Sequence, residues 1–222
     1  MKVVFATPSL AGPRPEYIAA LEASVPVLDA AGIEHGLTQV LGNPYISGAR
    51  AELLTKAVNA GADIVVYLDY DLSWRPTDLL TLIETAGDVV AGTYRFKKDD
   101  EEYMGGWHVH ADMRPVLRPD GCFKANRVPA GFLKITRQAV EWFARAYPHL
   151  TFGDDRRSVD LFNHGALDGA WMGEDYAFSK RWEDMGEELW IVPDLDLIHH
   201  GDKAYPGNLH RFMMRQPGGC EA

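Results

Sequence analysis

The sequence predicts an α/β domain with a mostly parallel central sheet flanked by helices and a small antiparallel part. Three observations predict it. Short apolar runs alternate with helix-period segments from Lys2 to Phe96, the pattern of repeated strand–helix units. One run, Ile64-Val65-Val66-Tyr67-Leu68, is apolar without interruption, as a strand buried on both faces must be. The alternation then fails from Lys97 to Arg127, where charges, Gly105-Gly106 and Pro119-Asp120-Gly121 indicate hairpins and loops.

The elements follow in order. Lys2 to Thr7 reads as a first strand ending at Pro8-Ser9, before a loop rich in Pro and Gly. Glu16 to Ala31 has helical periodicity and stops at Gly32; His35 to Leu41 is a weaker strand. Ser47 is a fair N-cap for a helix through Ala60, ended by Gly61. After the Ile64 strand, Thr77 can cap a helix from Asp78 to Ala86, and Asp88 to Phe96 forms another strand. Pro129 to Thr136 is a strand and Arg137 to Ala146 a helix, while Thr151 to Asp168 is polar and irregular. Trp171 to Met185 is helical, and Glu188 to His199 is a last strand interrupted by Pro193. With no repeat, low-complexity stretch or clear linker, the expectation is one domain over residues 1–222, with a loose tail after about Met214.

Composition narrows the function. A chain of 222 residues is long enough for a sizeable core. No apolar run approaches the roughly 20 residues of a membrane span, and Lys2 is followed by too short an apolar run for a signal peptide. The expectation is a cytoplasmic protein with no integral membrane segment. Cys122 and Cys220 make neither a disulfide framework nor a metal cluster, and Cys220, in a Gly-rich tail, reads as a free surface thiol. The net charge of −10 argues against broad electrostatic binding to nucleic acid or anionic lipid.

The chemistry starts at Asp69 and Asp71, which follow the buried run at once. Ligands of open α/β sheets bind outside the carboxyl ends of the strands. Side chains alternate along a strand, so these two carboxylates are expected to point the same way, with Tyr70 away. Side by side they repel unless a cation joins them, and hard ions such as Mg²⁺ or Mn²⁺ suit carboxylates, often with substrate phosphates completing the shell. The plainer reading is an acidic strand end feeding a turn. Arg50 precedes Leu53 and Leu54 by three and four residues and shares their inward stripe. It can clamp phosphate or ribose at the strand mouths, or snorkel past the stripe to water.

Glu174 and Asp175 follow Gly173 at a helix start, and Asp175 shares a face with Phe178, Trp182 and Met185. A carboxylate on an apolar stripe needs a reason. One is general-base work at a sugar hydroxyl; another is a contact with the helix dipole. His199 and His200 precede Gly201, and either imidazole suits an Mn²⁺-class ion beside Asp71. Trp107, His108 and His110 can stack on sugars or bases, or simply cover the sheet.

These pieces occur in the order of a GT-A glycosyltransferase. From Lys2 to about Gly207 the chain resembles family-2-like and phage- or virus-encoded GT-A enzymes. The landmarks are Ala6-Thr7-Pro8-Ser9, Ser47-Gly48-Ala49-Arg50, Leu68-Asp69-Tyr70-Asp71, Asp88-Val89-Val90-Ala91-Gly92-Thr93-Tyr94, Pro129-Ala130-Gly131-Phe132-Leu133, Gly173-Glu174-Asp175 and His199-His200-Gly201. The resemblance implies a Rossmann-like GT-A fold and a nucleotide-diphosphate sugar donor, a UDP- or GDP-sugar. It places Thr7 and Pro8 beside the base, Arg50 near the nucleotide, and Asp69 and Asp71 on ribose and the Mn²⁺ or Mg²⁺ that bridges the diphosphate. It makes Asp175, within the Glu174-Asp175 pair, the base of an inverting transfer, and His199 rather than His200 a metal ligand. Lys203 and Tyr205 fall where they can touch the diphosphate. The acceptor stays open among a glycan, a lipid-linked sugar, a protein and a modified DNA base. The chain lacks the Gln-x-x-Arg-Trp motif, which argues against processive polysaccharide synthesis.

Two other readings compete. A haloacid-dehalogenase-type phosphatase also ends a strand in Asp-x-Asp, with the first Asp as nucleophile, but there the motif closes the first strand. A non-catalytic nucleotide-sugar-binding module would have no use for the candidate base.

Overall fold

The computed structural model describes residues 1–153 and 158–215. Cys220 and most of the tail expected after Met214 lie outside them. The first part comprises β1 (Lys2–Ser9), α1 (Pro15–Ala30), β2 (Glu34–Leu41), α2 (Ile46–Asn59), β3 (Ile64–Leu68), β4 (Leu72–Ser73), α3 (Pro76–Glu84) and β5 (Val89–Gly92). Then come β6 (Gly106–Trp107), β7 (Phe123–Arg127), β8 (Phe132–Thr136), α4 (Arg137–Ala146), β9 (Thr151–Phe152), β10 (Ser158–Val159), β11 (Gly165–Leu167) and β12 (Ala170–Met172). The last part holds α5 (Glu174–Asp184), β13 (Leu189–Val192), β14 (Leu197–His200), β15 (Ala204–Gly207) and α6 (Leu209–Met214).

Eight strands form one sheet in the order β2-β1-β3-β8-β5-β13-β7-β6. β2, β1, β3, β5, β13 and β6 point one way; β8 and β7 run against them. This is the mostly parallel, Rossmann-like architecture expected of a GT-A protein. The antiparallel members are placed by connectivity. β8 slots between β3 and β5, its partners from Ile64↔Thr136 to Leu68↔Phe132.

The uninterrupted apolar run of β3 has a direct cause. Ile64, Val66 and Leu68 pack on one face with Tyr17 and Leu28 of α1 and Leu79 and Leu82 of α3. Val65 and Tyr67 pack on the other with Leu53 and Leu54 of α2, Phe143 of α4 and Phe178 and Trp182 of α5. Helices cover both faces, so no residue of the strand meets water.

Several boundaries differ from expectation. α2 starts a residue before Ser47, with Tyr45 at the N-cap, and α3 starts at Pro76 with Arg75 as N-cap. Proline suits a first helical turn, where its missing N–H costs nothing. The predicted helix from Trp171 begins only at Glu174. Ala170–Met172 instead pairs with Gly165–Leu167 across Asp168 and Gly169, whose positive φ values of 52° and 79° make the tight hairpin turn. The predicted strand from Glu188 to His199 is two strands in two sheets. β13 ends at Val192, Pro193 has no N–H to continue the ladder, and β14 pairs with β4 and β15 in a separate three-stranded sheet. The stretch from Thr151 to Asp168, expected to be irregular, contributes short ladders, β9–β10 and one arm of β11–β12. Among the described residues no helix is long and apolar enough to cross a membrane.

Lys134 of β8 is buried and donates to the carbonyls of Ile83 (3.2 Å) and Thr85, at the C-terminal end of α3. Burial pulls its pKa from 10.5 down to about 8, against a smaller opposing pull from Asp88. Between those two values the unfolded chain holds a proton that the folded chain lacks. The contribution of Lys134 to stability therefore rises with pH through this window, by up to about 1.4 kcal/mol per unit. Urea unfolding at several pH values across it should show this rise in the wild type and a flatter profile in Lys134→Met.

Candidate active site

Asp69 stands immediately past β3, and the chain turns there rather than continuing extended. The Leu72 N–H donates to the Asp69 carbonyl (3.1 Å), and the Asp69 N–H donates to the Gly131 carbonyl (2.8 Å). The two carboxylates thus sit on a turn between β3 and β4, and each has its own cation. This differs from the expected pair on one extended strand.

Asp69 belongs to Arg50. One end of the guanidinium donates to Asp69 Oδ1 (3.0 Å) and the other to Glu174 Oε1 (2.6 Å). The Arg50 side chain is only 4% exposed, so the snorkelling alternative does not describe it. Tyr67 donates its hydroxyl to the Arg50 carbonyl (3.0 Å), and the Phe162 ring lies 5.3 Å from the guanidinium. Burial works against the arginine's charge, but Asp69 and Glu174 together raise its pKa further. Burial also pushes the Asp69 carboxyl above its ordinary value, against the opposing pull of Arg50.

Asp71 belongs to the other side of the turn. Its carbonyl accepts the His200 N–H (2.8 Å), tying it to β14. Its Oδ2 accepts from the Lys97 ammonium and lies 3.7 Å from His199 Nε2. Burial disfavours its charge, but His199 and Lys97 outweigh that and hold the carboxyl below its ordinary value. His199 Nδ1 donates to the Arg95 carbonyl (2.8 Å), which turns Nε2 toward Asp71. Metal-ligating histidines are commonly oriented in this way. His200 points elsewhere, its Nε2 2.8 Å from Ser73 Oγ.

Asp175 occupies the first turn of α5, and its Oδ1 accepts the Tyr176 N–H (2.8 Å), so the helix-start contact is present. Burial and the adjacent Glu174 carboxylate raise its pKa from 3.8 to about 6, against Arg50. Lys203 pairs with Asp99 at the surface and lies over the Tyr205 ring. Tyr205 stands opposite His199 in the β14–β15 ladder, on the same face of that sheet. Thr7 and Pro8 end β1 beside β3, but both are buried, and the Thr7 hydroxyl is engaged with that of Tyr17. Trp107 packs edge-on against Phe123, and His108 pairs with Glu183, away from this cluster.

Arg50, Asp69 and Glu174 therefore form one group, and Asp71, Lys97 and His199 a second, joined by the turn at Tyr70. Sequence reasoning missed three participants. Lys97 reads as part of a solvated charge run from Lys97 to Glu102. Tyr94 sets its ring edge-on to His199 (5.1 Å) and accepts the Gly131 N–H (3.1 Å) on its hydroxyl. Gly131 was a landmark without a role. A Cβ there would press on Tyr94 Oη and stand 2.5 Å from Asp69 Oδ2, so only glycine lets the carboxylate take its place.

Among the described residues, no three His, Cys, Asp or Glu side chains form a ready-made metal cluster. Asp71 and His199 nonetheless fit a divalent ion. They offer one carboxylate and one oriented imidazole, and the Lys97 ammonium already stands as a cation on the carboxylate oxygen. One or two protein ligands completed by substrate phosphate is a common arrangement for such ions.

No family model matches the sequence, and no curated protein matches it. Among solved structures, A197 from STIV aligns over 94% of this chain and 95% of its own, with a TM-score of 0.54 and 16% identity. That likeness establishes a shared fold. GalNAc-T7 solved with UDP, GalNAc and Mn²⁺ aligns over 90% of this chain and 43% of its own (TM-score 0.48, 12% identity). The Drosophila β-1,4-galactosyltransferase 7 complex with manganese, UDP-Gal and xylobiose aligns over 100% and 76% (TM-score 0.47, 15% identity).

Replacing Gly131 by alanine tests the packing at Asp69. Gly131→Ala should cost about 1–3 kcal/mol in urea unfolding, because the added methyl presses on the Tyr94 hydroxyl and the Asp69 carboxylate.

Proposed function

We propose that the chain is a metal-dependent glycosyltransferase. It moves a sugar from a nucleotide-diphosphate sugar, a UDP- or GDP-sugar, to an acceptor hydroxyl with inversion. The observation that carries this reading is the pairing of Asp71 with the oriented Nε2 of His199 at the carboxyl end of β3, where open α/β sheets bind ligands. Next to the Arg50–Glu174 pair stands Asp175, a carboxylate whose pKa of about 6 suits a base.

Asp71 and His199 would hold Mn²⁺ or Mg²⁺, which supplies charge neutralisation for the leaving diphosphate. Arg50 fixes Asp69 and Glu174, and through them the turn after β3 and the start of α5. In this reading Asp69 serves the ribose and Asp175 the acceptor. Asp175 takes the proton from the acceptor hydroxyl as its oxygen attacks the anomeric carbon. Glu174, held by Arg50, keeps the Asp175 pKa high rather than moving a proton itself. Lys203 and Tyr205 border the diphosphate side. Thr7 and Pro8 shape the floor under the nucleotide through the backbone and through packing. The 1–222 chain acts as one GT-A domain in this reading. Against a phosphatase using Asp69 as nucleophile stands the Arg50 guanidinium, which holds Oδ1 of that carboxylate.

Thermal stability with UDP, GDP, CDP and dTDP, each with and without Mn²⁺, tests the donor site. One diphosphate should raise the melting temperature only with Mn²⁺, since a ligand that binds the folded state stabilises it by mass action. Asp71→Ala should remove that shift and abolish transfer while keeping the fold. No shift with any nucleotide would sink the reading.

Transfer should rise with pH through about 6 as Asp175 loses its proton. Asp175→Asn should lower turnover at least about a hundredfold with little change in donor affinity. Equal losses in both would make Asp175 structural.

A further inference from the structure

The Lys97 ammonium bonds Asp71 Oδ2, the same oxygen that faces His199 Nε2 at 3.7 Å. A divalent ion held by Asp71 and His199 needs that oxygen. An ammonium and a divalent ion cannot share it cheaply, because like charges a few ångströms apart repel strongly in a partly buried setting. One of the two must leave.

Lys97 is built to leave. Its root is fixed: Arg95 Nη2 donates to the carbonyls of Lys98 (3.2 Å) and Asp99 (2.9 Å), which pins the backbone just past it. Its stem runs along a lane kept open by Gly201, where a Cβ would come within 3.0 Å of Lys97 Cδ and 3.4 Å of the Tyr205 ring. Asp71 is the head's one side-chain partner among the described residues; the side chain is 35% exposed, with several rotatable bonds in its stem. The ammonium can exchange partners without any change in the backbone.

We propose that Lys97 is the internal counter-ion of the donor site. It neutralises Asp71 when no divalent ion is bound, is displaced from that carboxylate by the ion, and then pairs with the donor diphosphate. The inference rests on the metal-dependent reading above. Asp71, a buried carboxylate, then keeps a positive partner in both states. The exchange also makes ion and diphosphate cooperative, because the displaced ammonium gains a new partner only when both are present.

The test uses Mn²⁺ alone, titrated into the full chain and followed by the electron paramagnetic resonance of the free ion. Lys97→Met and Lys97→Gln should each bind Mn²⁺ at least about threefold more tightly than the wild type, the gain expected from removing one partly exposed competing ion pair. Lys97→Arg and Lys98→Met should bind it like the wild type. With UDP or GDP added, the factor by which the nucleotide tightens Mn²⁺ should shrink in Lys97→Met. Melting curves check that each variant is folded, and the two neutral variants guard against one that is not. Equal Mn²⁺ affinity in the wild type and both neutral variants, or binding in none of them, overturns the proposal. If Lys97→Met tightens Mn²⁺ but no nucleotide diphosphate binds any form, the exchange at Asp71 stands. In that case the second partner of Lys97, and the glycosyl-transfer reading with it, falls.

Discussion

The buried Arg50 guanidinium is the contact on which the rest of the site depends. It is the shared partner of Asp69 and Glu174, two carboxylates from distant parts of the chain that burial would otherwise make costly. A buried charge left without its partner is worth several kcal/mol of destabilisation, far more than a surface pair contributes. Holding both acids with the two ends of one planar group also sets the distance between the β3 turn and the start of α5. Position and charge in the Asp69–Glu174 half of the site are therefore fixed by one side chain.

The sheet makes that side chain possible. β3 is covered on both faces, so α2 must lie flat against it with Leu53 and Leu54 inward, and Arg50 one turn earlier on the same stripe lands at the strand's end. The turn after β3 is then fastened from outside by β14, whose ladder to β4 brings His199 opposite Leu72. A parallel sheet supplies the mouth, and a small antiparallel sheet supplies the second wall.

Much of this was legible in the chain. The unbroken run at Ile64 to Leu68 marked the two-faced strand, and the stripe Arg50, Leu53, Leu54 put Arg50 on the inward face of its helix, because both depend on local periodicity; whether it turned to the strand mouth or to water stayed open. The partners of that cation were not legible. Nothing local says that Arg50 meets Glu174, 124 residues away, or that Lys97 leaves a stretch of charges to sit on Asp71. The division of the predicted last strand at Pro193 was half visible. The proline marked the break, but only long-range pairing decides that the two pieces join different sheets. Gly131 was conspicuous without a reason until its neighbours were in place, since a missing Cβ has meaning only against what would collide with it. The hairpin before α5 was signalled by Asp168-Gly169, a turn dipeptide that the helical pattern of Trp171 to Met185 obscured.

The tie between β4 and β14 has a consequence for how the molecule is made. Ser73 and His200, bonded side chain to side chain, are 127 residues apart, so closing this wall means closing a very long loop. Contacts of such separation form late, since the chain entropy they cost is recovered only after the nearer parts have folded. While the chain emerges from the ribosome, the turn that carries Asp71 is present long before the strand that carries His199. A growing chain therefore exposes an acidic turn that lacks its histidine neighbour. The Asp71–His199 contact is in effect a report that synthesis has passed β14 and that the last sheet has docked.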